Sequence, residues 1–401
     1  MRLRTLALLP LLAVTPLRAQ SPHDEPLRVF QLSPTLLEQL KQQHDPIVLK
    51  AVRSEADRDL QLGPWSVMQK PIAPASGDKH DYMSASRYWW PNPATPNHLP
   101  YIYKDGQVNP ETNAIQDHEN LTKTDHSAHA LALAYYLTGE GKYAEQASLL
   151  LHAWYLNADT RMNPNLRYAG AVPGKTDSPT SAIIDARSIP DAIDAVGLLA
   201  GSPAWKPADT AAMVTWFTAY FDWLQNSPNG RAEANTVNNH ANYYDQQVVS
   251  IALFLGKDDV ARGIIETAKT RRIAAQIQAD GKQPFELKRA HGLSYSFFNL
   301  TALVELAEMA ENLQIDLWHY TAPNGASLQA ATDYLIPFVS GSPATVAANL
   351  EGIDPETVRL PFLLASIHLG DPKYAAITAR LGPPGNTDAL VLAATYSKHS
   401  K

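Results

Sequence analysis

The 401-residue sequence contains no cysteine. This absence excludes a disulfide framework, a metal site built from thiolates and a cysteine nucleophile. It does not identify the cellular compartment, because a chain of this length buries a core large enough to be stable without disulfides, even in an oxidising environment. Beyond its N-terminal segment the sequence also lacks an apolar run long enough to cross a lipid bilayer.

Basic residues are fewer than acidic ones, 33 against 40, and the formal net charge is -7. This deficit of positive charge argues against general binding of nucleic acids, so no nucleic acid partner is expected. An acidic substrate would have to be attracted by a local basic cleft rather than by the whole surface. The net charge by itself therefore speaks against a polyanionic substrate.

The first residues have the layout of a secretory signal peptide. Arg2 and Arg4 precede an apolar run over residues 6–14, and Ala19 offers a small residue at the cleavage point. The run is too short to anchor the chain in a membrane. The alternative is a buried N-terminal helix. We expect cleavage near Ala19, which removes residues 1–19, no membrane anchor, and a mature chain that is periplasmic or secreted.

Residues 63–120 combine prolines with aromatic side chains. Eight prolines interrupt any long helix there, and Tyr88, Trp89 and Trp90 form an unbroken aromatic run. A long irregular segment in an otherwise helical chain is usually functional, because ordering it costs conformational entropy. The aromatic run predicts either a platform or lid that stacks on sugar rings, or a packing plug.

From residue 124 onward, helical periodicity dominates. An apolar helix, a tight glycine turn and a second helix recur three times, with the turns at Gly139, Gly256 and Gly370. Such helix pairs cannot bury their apolar faces alone and must stack side by side. The sequence therefore predicts an all-α fold, a toroid or solenoid of stacked antiparallel helix pairs. No linker divides residues 20–401, so we expect one domain.

The densest polar cluster, residues 235–247, leads directly into an apolar helix. On a helix, His240, Tyr244 and Gln247 are spaced i, i+4 and i+7 and share one face. Polar groups on that face must be satisfied, or they destabilise the core. The cluster predicts either a functional surface or an asparagine-capped helix with a structural histidine.

A second cluster, residues 284–300, contains Arg289 and Tyr295 six residues apart. The planar fork of arginine suits a carboxylate, and the phenol of tyrosine can give or take a proton. The alternative is structural: Arg289 forms an ion pair with Glu286, and Tyr295 is buried in a helix contact.

Together the two clusters suit one reaction, elimination across a 4-linked uronate. The C5 proton of the uronate is poorly acidic while the neighbouring carboxylate is charged, and Asn, His and Arg donors on that carboxylate stabilise the enolate-like intermediate. A base then takes the C5 proton, and an acid protonates the departing O4. Histidine suits the base near neutral pH, whereas tyrosine first needs a cationic neighbour to lower its pKa. No metal or other cofactor is required.

Over residues 78–320 the chain resembles the alginate lyase superfamily, and in particular the polyuronate lyases grouped as polysaccharide lyase family thirty-eight. The matching stretches, in chain order, are DYMSASRYWWPNP, DGQVNPETN, LALAYYLTGEGKYAEQA, TRMNPNLRYA, NNHANYYDQQ, QADGKQPFELKRAHGLSYSFFNL and DLWHY. The resemblance implies an α/α toroid, or incomplete α/α barrel, with the site in a deep groove. It also implies a lyase that cleaves alginate, polymannuronate or glucuronan by β-elimination and leaves a C4=C5 unsaturated end.

The resemblance assigns roles to matching positions. Asn239 and Arg289 would neutralise the substrate carboxylate, His240 would be the base, and Tyr295 would be the acid. Where the C5 proton and the leaving oxygen lie on the same face of the sugar, Tyr295 would serve as both base and acid. Family members often have a Gly- and Arg-rich stretch where this chain has residues 176–185, and this departure affects substrate choice.

Other side chains are candidates for contact with the substrate or a metal. The predicted substrate-binding set is Tyr88, Trp89, Trp90, Arg167, Tyr244 and His291. His291 stands where a more basic or hydroxylic residue is expected from the resemblance. We expect no metal, because His126 and His129 lie three residues apart but no third ligand is evident.

Two other functions remain as alternatives. An inverting glycoside hydrolase on an α/α toroid needs two opposed carboxylates, for which Glu111, Asp117, Glu119 and Asp185 are available. A non-catalytic periplasmic glycan-binding protein is the other alternative. A pure binder needs no proton donor, so the joint presence of the His240 and Tyr295 clusters speaks against it.

Overall fold

The computed structural model describes residues 27–175, 182–385 and 391. The signal-peptide prediction, and residues 176–181 of the stretch that departs from the family pattern, lie outside these ranges. The described residues contain fifteen α-helices: α1 (Pro34–Gln43), α2 (Pro46–Asp59), α3 (Asp117–Thr138), α4 (Gly141–Leu151), α5 (Ile189–Leu198), α6 (Pro207–Asn226), α7 (Pro228–Ala234), α8 (Asn239–Phe254), α9 (Asp258–Ala268), α10 (Pro284–Leu287), α11 (Gly292–Glu311), α12 (Leu328–Val339), α13 (Pro343–Asn349), α14 (Pro355–His368) and α15 (Pro372–Arg380).

The helices form the predicted α/α toroid. Helices α3, α5, α8, α11 and α14 pack one beside the next and form an inner wall, while α4, α9 and α15 pack behind α3, α8 and α14. The inner helices run in the same direction. Contacts between neighbouring helices show this, since residues later in one helix contact residues later in the next. Asn242 bonds to Asn299 and Gln246 to Glu305 between α8 and α11.

The three predicted glycine turns are present. Gly139, Gly256 and Gly370 follow α3, α8 and α14 with φ angles of 74°, 67° and 64°. This left-handed conformation ends a helix at little steric cost only when the residue has no Cβ. The glycines therefore reverse the chain between an inner helix and the helix behind it.

The proline- and aromatic-rich region forms two small sheets against the inner wall. Strand β1 (Met83–Ala85) pairs in parallel with β4 (Tyr168–Ala171), and β2 (Trp89–Trp90) pairs antiparallel with β3 (Ile102–Tyr103). We call residues 86–109, which contain β2 and β3, the aromatic hairpin. No helix among the described residues is long and apolar enough to cross a membrane.

Candidate active site

A cavity of about 1890 Å³ lies inside the toroid, between the inner helices and the aromatic hairpin. It is lined by the first turns of α3, α8 and α11 at one end and by later turns of the same helices further in. The N-termini of three parallel helices thus face one space, and their partial positive charges favour an anionic ligand.

Asn239 and His240 form the first turn of α8, and both line the cavity. The buried amide of Asn239 donates from Nδ2 to both carboxylate oxygens of Glu286, at 3.0 and 2.9 Å, and its backbone N–H donates to the same group. Burial raises the pKa of Glu286, and the bonds from Asn239 oppose this shift. Glu286 therefore fixes the start of α8 rather than pairing with Arg289.

The imidazole of His240 is held by a second buried acid. Its Nδ1 lies 2.9 Å from Oε1 of Glu233, whose side chain is 0% exposed. Burial lowers the pKa of His240, but the charge of Glu233, their hydrogen bond and the charge of Glu286 outweigh it, so the pKa lies above its ordinary value. A bond from Nδ1–H to Glu233 leaves Nε2 as the ring nitrogen available to a ligand.

Tyr295, in the first turn of α11, faces the same cavity. Its hydroxyl lies 2.6 Å from the hydroxyl of Tyr88 and accepts a bond of 3.1 Å from Nη2 of Arg289. Burial raises the pKa of Tyr295, the hydrogen bond with Tyr88 adds to the increase, and the charge of Arg289 opposes it. The phenol is therefore protonated at neutral pH, as a general acid must be.

The guanidinium of Arg289 is occupied by the aromatic hairpin. Its Nε and Nη2 donate to the carboxylate of Asp105 at 3.0–3.1 and 2.6 Å, and Asp105 also accepts from the backbone of Ala290. These bonds hold the pKa of Asp105 well below its usual range. Arg289 thus lies beside Tyr295, as its place in the sequence suggests, but its fork already binds a carboxylate of the protein.

The predicted substrate-binding residues divide into two groups. Tyr88, Trp89 and His291 line the cavity. Trp90 does not line it, and its indole donates instead to the carbonyl of Gln107.

Arg167 and Tyr244 also lie away from the cavity. Arg167 is exposed with its guanidinium over the ring of Tyr168, and the hydroxyl of Tyr244, in the core, donates to the carbonyl of Leu224. On α8 the cavity face runs through His240, Tyr243 and Gln246, with i, i+3, i+6 spacing rather than the i, i+4, i+7 set. A helix has 3.6 residues per turn, so a step of three residues falls short of a full turn and a step of four exceeds it. The two steps therefore lead to opposite sides of His240 around the helix.

The two acids that support the site were missed by sequence reasoning. Asp105 lies in the stretch DGQVNPETN, to which the resemblance assigns no role, and Glu233 lies at the end of α7, five residues before the NNHANYYDQQ stretch. An acid seven residues before a candidate histidine was the available signal for Glu233. For Asp105 the sequence offers no such signal, because its partner Arg289 is 184 residues away in the chain.

The carboxylates considered for a glycoside hydrolase do not form an opposed pair. Asp117 is in a buried ion pair with Lys70 at 2.8 Å, and Glu119 pairs with Lys123. Asp185 is the member of the four that lines the cavity, and it accepts bonds from two hydroxyls, those of Tyr82 and Ser84. No group of three or more metal-ligating side chains occurs among the described residues.

Comparison with known proteins defines the family. A family model described as alginate lyase matches residues 66–346, so the chain belongs to the alginate lyase family, and it is a polysaccharide lyase. An alginate lyase from Bacteroides ovatus is 34% identical, with a TM-score of 0.84, and the match covers 91% of this chain and 99% of that chain. Alginate lyase A1-III from Sphingomonas species A1 is 16% identical with a TM-score of 0.51, covers 85% and 94% of the two chains, and shares the fold. Comparison with curated proteins gave no significant match.

Proposed function

We propose that this protein cleaves a 4-linked polyuronate by β-elimination, with alginate, including polymannuronate, as the expected substrate and glucuronan as the alternative. The observation that supports this most is that His240, backed by Glu233, and Tyr295, backed by Arg289, face one cavity. A solved relative that is 34% identical is an alginate lyase. Within the family, we propose the grouping called polysaccharide lyase family thirty-eight.

In the proposed reaction a base removes the C5 proton, the C4–O4 bond breaks, a C4=C5 double bond forms and O4 leaves with a proton. His240 is the base for substrates whose C5 proton lies opposite the leaving oxygen, since its Nε2 is available and its Nδ1 is fixed by Glu233. Tyr295 delivers the proton to O4, and Arg289 stabilises the phenolate that forms transiently.

Neutralisation of the substrate carboxylate falls mainly to the N-terminus of α8. His240 lies there with its Nε2 available. The N–H groups of Asn239 already donate to Glu286 and the fork of Arg289 to Asp105, so these two residues would each have to exchange a carboxylate of the protein for that of the substrate. For a substrate with the C5 proton and the leaving oxygen on the same face, Tyr295 acts as both base and acid, and this mode requires the pKa of its phenol, which lies above its ordinary value without substrate, to fall when the substrate binds. A protonated His240 then serves as a donor to the carboxylate, which its raised pKa favours.

The experiment mixes the purified protein with polymannuronate, polyguluronate, glucuronan and a neutral glucan and follows the ultraviolet absorbance of the C4=C5 bond. We expect a rise with at least one polyuronate and none with the glucan. New reducing ends without absorbance would replace the lyase proposal by a hydrolase, and neither signal would replace it by a binding protein.

We also propose that the protein is exported and that residues 20–401 act as one lyase domain. The support is the basic and apolar pattern before Ala19. N-terminal sequencing of protein recovered from the periplasm or medium should begin near residue 20, and recovery of an intact N-terminus would contradict export by this signal.

A further inference from the structure

A second arginine lines the same cavity. Arg187 lies between a short helical turn (Ile183–Ala186) and α5, and it faces the space lined by Tyr243 and Phe298. Its Nη1 lies 3.1 Å from Nε2 of His118, at the start of α3, and its guanidinium carbon is 5.7 Å from the ring centre of Phe298. Two inner helices thus fix the position of this cation.

The position of Arg187 follows from the helices beside it. Phe298 comes three residues after Tyr295 on α11, and Tyr243 comes three residues after His240 on α8; the two rings lie 4.5 Å apart. Three residues of helix advance by about 4.5 Å. Arg187 therefore lies between the first turn of α3 and the next turns of α8 and α11, beside the groups proposed to act on the scissile bond.

The charge of Arg187 differs from that of Arg289 in being without a carboxylate partner within 4.0 Å among the described residues. Its contact, His118, is neutral at neutral pH: burial lowers the pKa of that imidazole, the charges of Arg187 and Arg87 lower it further, and only the acids nearby oppose this. A neutral His118 accepts a hydrogen bond from Arg187 at Nε2 but does not cancel its charge.

The acids nearest this position do not form an ion pair with Arg187. Asp191 pairs with His126. Asp185 accepts bonds from the neutral hydroxyls of Tyr82 and Ser84, and its charge still acts on His118. Glu305 accepts a bond of 2.7 Å from Gln246. Burial, together with the charge of Asp191, raises its pKa to about 8 against the opposing charges of Arg187 and His126, so it is largely uncharged at neutral pH. A partly buried guanidinium facing an open cavity is then best satisfied by an anionic ligand.

We propose that Arg187, oriented by His118, binds the carboxylate of the uronate unit next to the one that loses its C5 proton, and that it is a specificity-determining residue for acidic over neutral sugar units. This inference rests on the proposed function and names a subsite for it. Arg187 does not touch the reacting atoms, so its loss should weaken binding much more than the chemical step.

The test measures binding of a polymannuronate tetrasaccharide by calorimetry to the Tyr295→Phe protein, in which we expect turnover to be strongly slowed, at several salt concentrations. Adding Arg187→Met should raise Kd on the order of 10- to 100-fold, the range for loss of a hydrogen bond to a charged group. It should also flatten the dependence of Kd on salt, because one ion pair is lost. A purely structural role would not change the salt dependence.

Arg262→Met in the same background is the matched control, because Arg262 is an exposed arginine on α9 outside the cavity. It should leave Kd and its salt dependence unchanged. Arg187→Gln, which keeps a donor for His118 without the charge, replaces Arg187→Met if that variant unfolds at the assay temperature.

An unchanged Kd and salt dependence in the folded Arg187 variant would overturn the subsite, while cleavage of a polyuronate by the unmodified protein would leave the proposed function intact. Failure of the unmodified protein to cleave or bind any polyuronate would instead remove the function on which the subsite depends. In turnover assays with otherwise unmodified protein, Arg187→Met should raise KM and largely preserve kcat.

Discussion

The two halves of the candidate site are supported in different ways. His240 lies on a helix and its imidazole is fixed by Glu233, while Glu286 fixes the start of that helix through Asn239; the toroid buries both acids, Glu233 at 0% and Glu286 at 1% exposure. Tyr295 is also on a helix, but its contacts come through Tyr88 and the Asp105–Arg289 pair, and the side chain of Asp105 is 28% exposed. The helical half is fixed by folding of the core, whereas the hairpin half depends on a few polar contacts near solvent, which are weaker.

The largest effect on activity is expected from Tyr295, the proposed proton donor that the hairpin contacts support. Tyr295→Phe removes the proton donor and should lower kcat by about 10²- to 10⁴-fold. It should leave Kd for a polyuronate oligosaccharide within a few-fold of the unmodified value, because the ring and its packing remain. Absorbance assays and calorimetry on the same preparation separate the two. Full activity in this variant would remove Tyr295 from the mechanism.

Removal of the buried charge behind His240 tests the helical half. A histidine base must be neutral, so activity should rise with pH through a His240 pKa that lies above its ordinary value. Glu233→Gln removes the largest opposing charge, so this acid limb should move to lower pH, and kcat at the optimum should fall by about tenfold as the imidazole loses its orientation.

The pH profile of this variant also distinguishes the two modes of elimination. If His240 acts as a protonated donor to the substrate carboxylate, activity falls as pH rises through its pKa. Glu233→Gln then moves that descending limb, rather than the ascending one, to lower pH. A profile identical to that of the unmodified enzyme would show that Glu233 does not set the ionisation of His240.

The hairpin half should respond less. Asp105→Asn frees the fork of Arg289 and loosens the hairpin, and we expect kcat/KM to fall by roughly tenfold or less, with a loss of about 1 kcal/mol or less in the free energy of unfolding. Steady-state kinetics and chemical denaturation measure both quantities. A loss of kcat/KM as large as that of Tyr295→Phe would mean that the two halves of the site are equally important for catalysis.

The smallest effect is expected at Tyr244, where sequence and structure disagree. If Tyr244 contacted the substrate, as the helical spacing predicts, Tyr244→Phe would raise KM. A hydroxyl bonded to the carbonyl of Leu224 in the core instead predicts unchanged KM and a loss of about 1 kcal/mol in the free energy of unfolding. Kinetics and thermal unfolding of this one variant decide between them.

The sequence predicted the fold well because its signals are local. Helical periodicity and the turns at Gly139, Gly256 and Gly370 identify helix pairs, and pairs with apolar faces have few ways to stack. The clusters around His240 and Tyr295 were found for the same reason: each is contiguous in the chain. The structure brings both to one cavity.

What the sequence did not reveal depends on contacts between distant segments. Asp105 pairs with Arg289 across 184 residues of the sequence. The guanidinium group that the sequence predicts to bind the substrate carboxylate therefore binds a carboxylate of the protein. The choice between Tyr243 and Tyr244 depends on a difference of one residue in helical phase, which only the packing of α8 against its neighbours determines. Arg187 attracted no notice because a single arginine after a short turn has no pattern.

The turn after β3 limits how the sequence of the aromatic hairpin can vary. Gly106 has a φ of 74°, and a Cβ there would lie 2.8 Å from the Cβ of Ala290 and 2.9 Å from the ring of His291. Nearby Tyr103 and Val108 are 51% and 45% exposed. In a library randomised over the hairpin, position 106 should retain glycine while positions 103 and 108 diversify. New sugar preferences would then arise at the positions on either side of this turn, with Gly106 conserved where the hairpin is attached to the loop before α11.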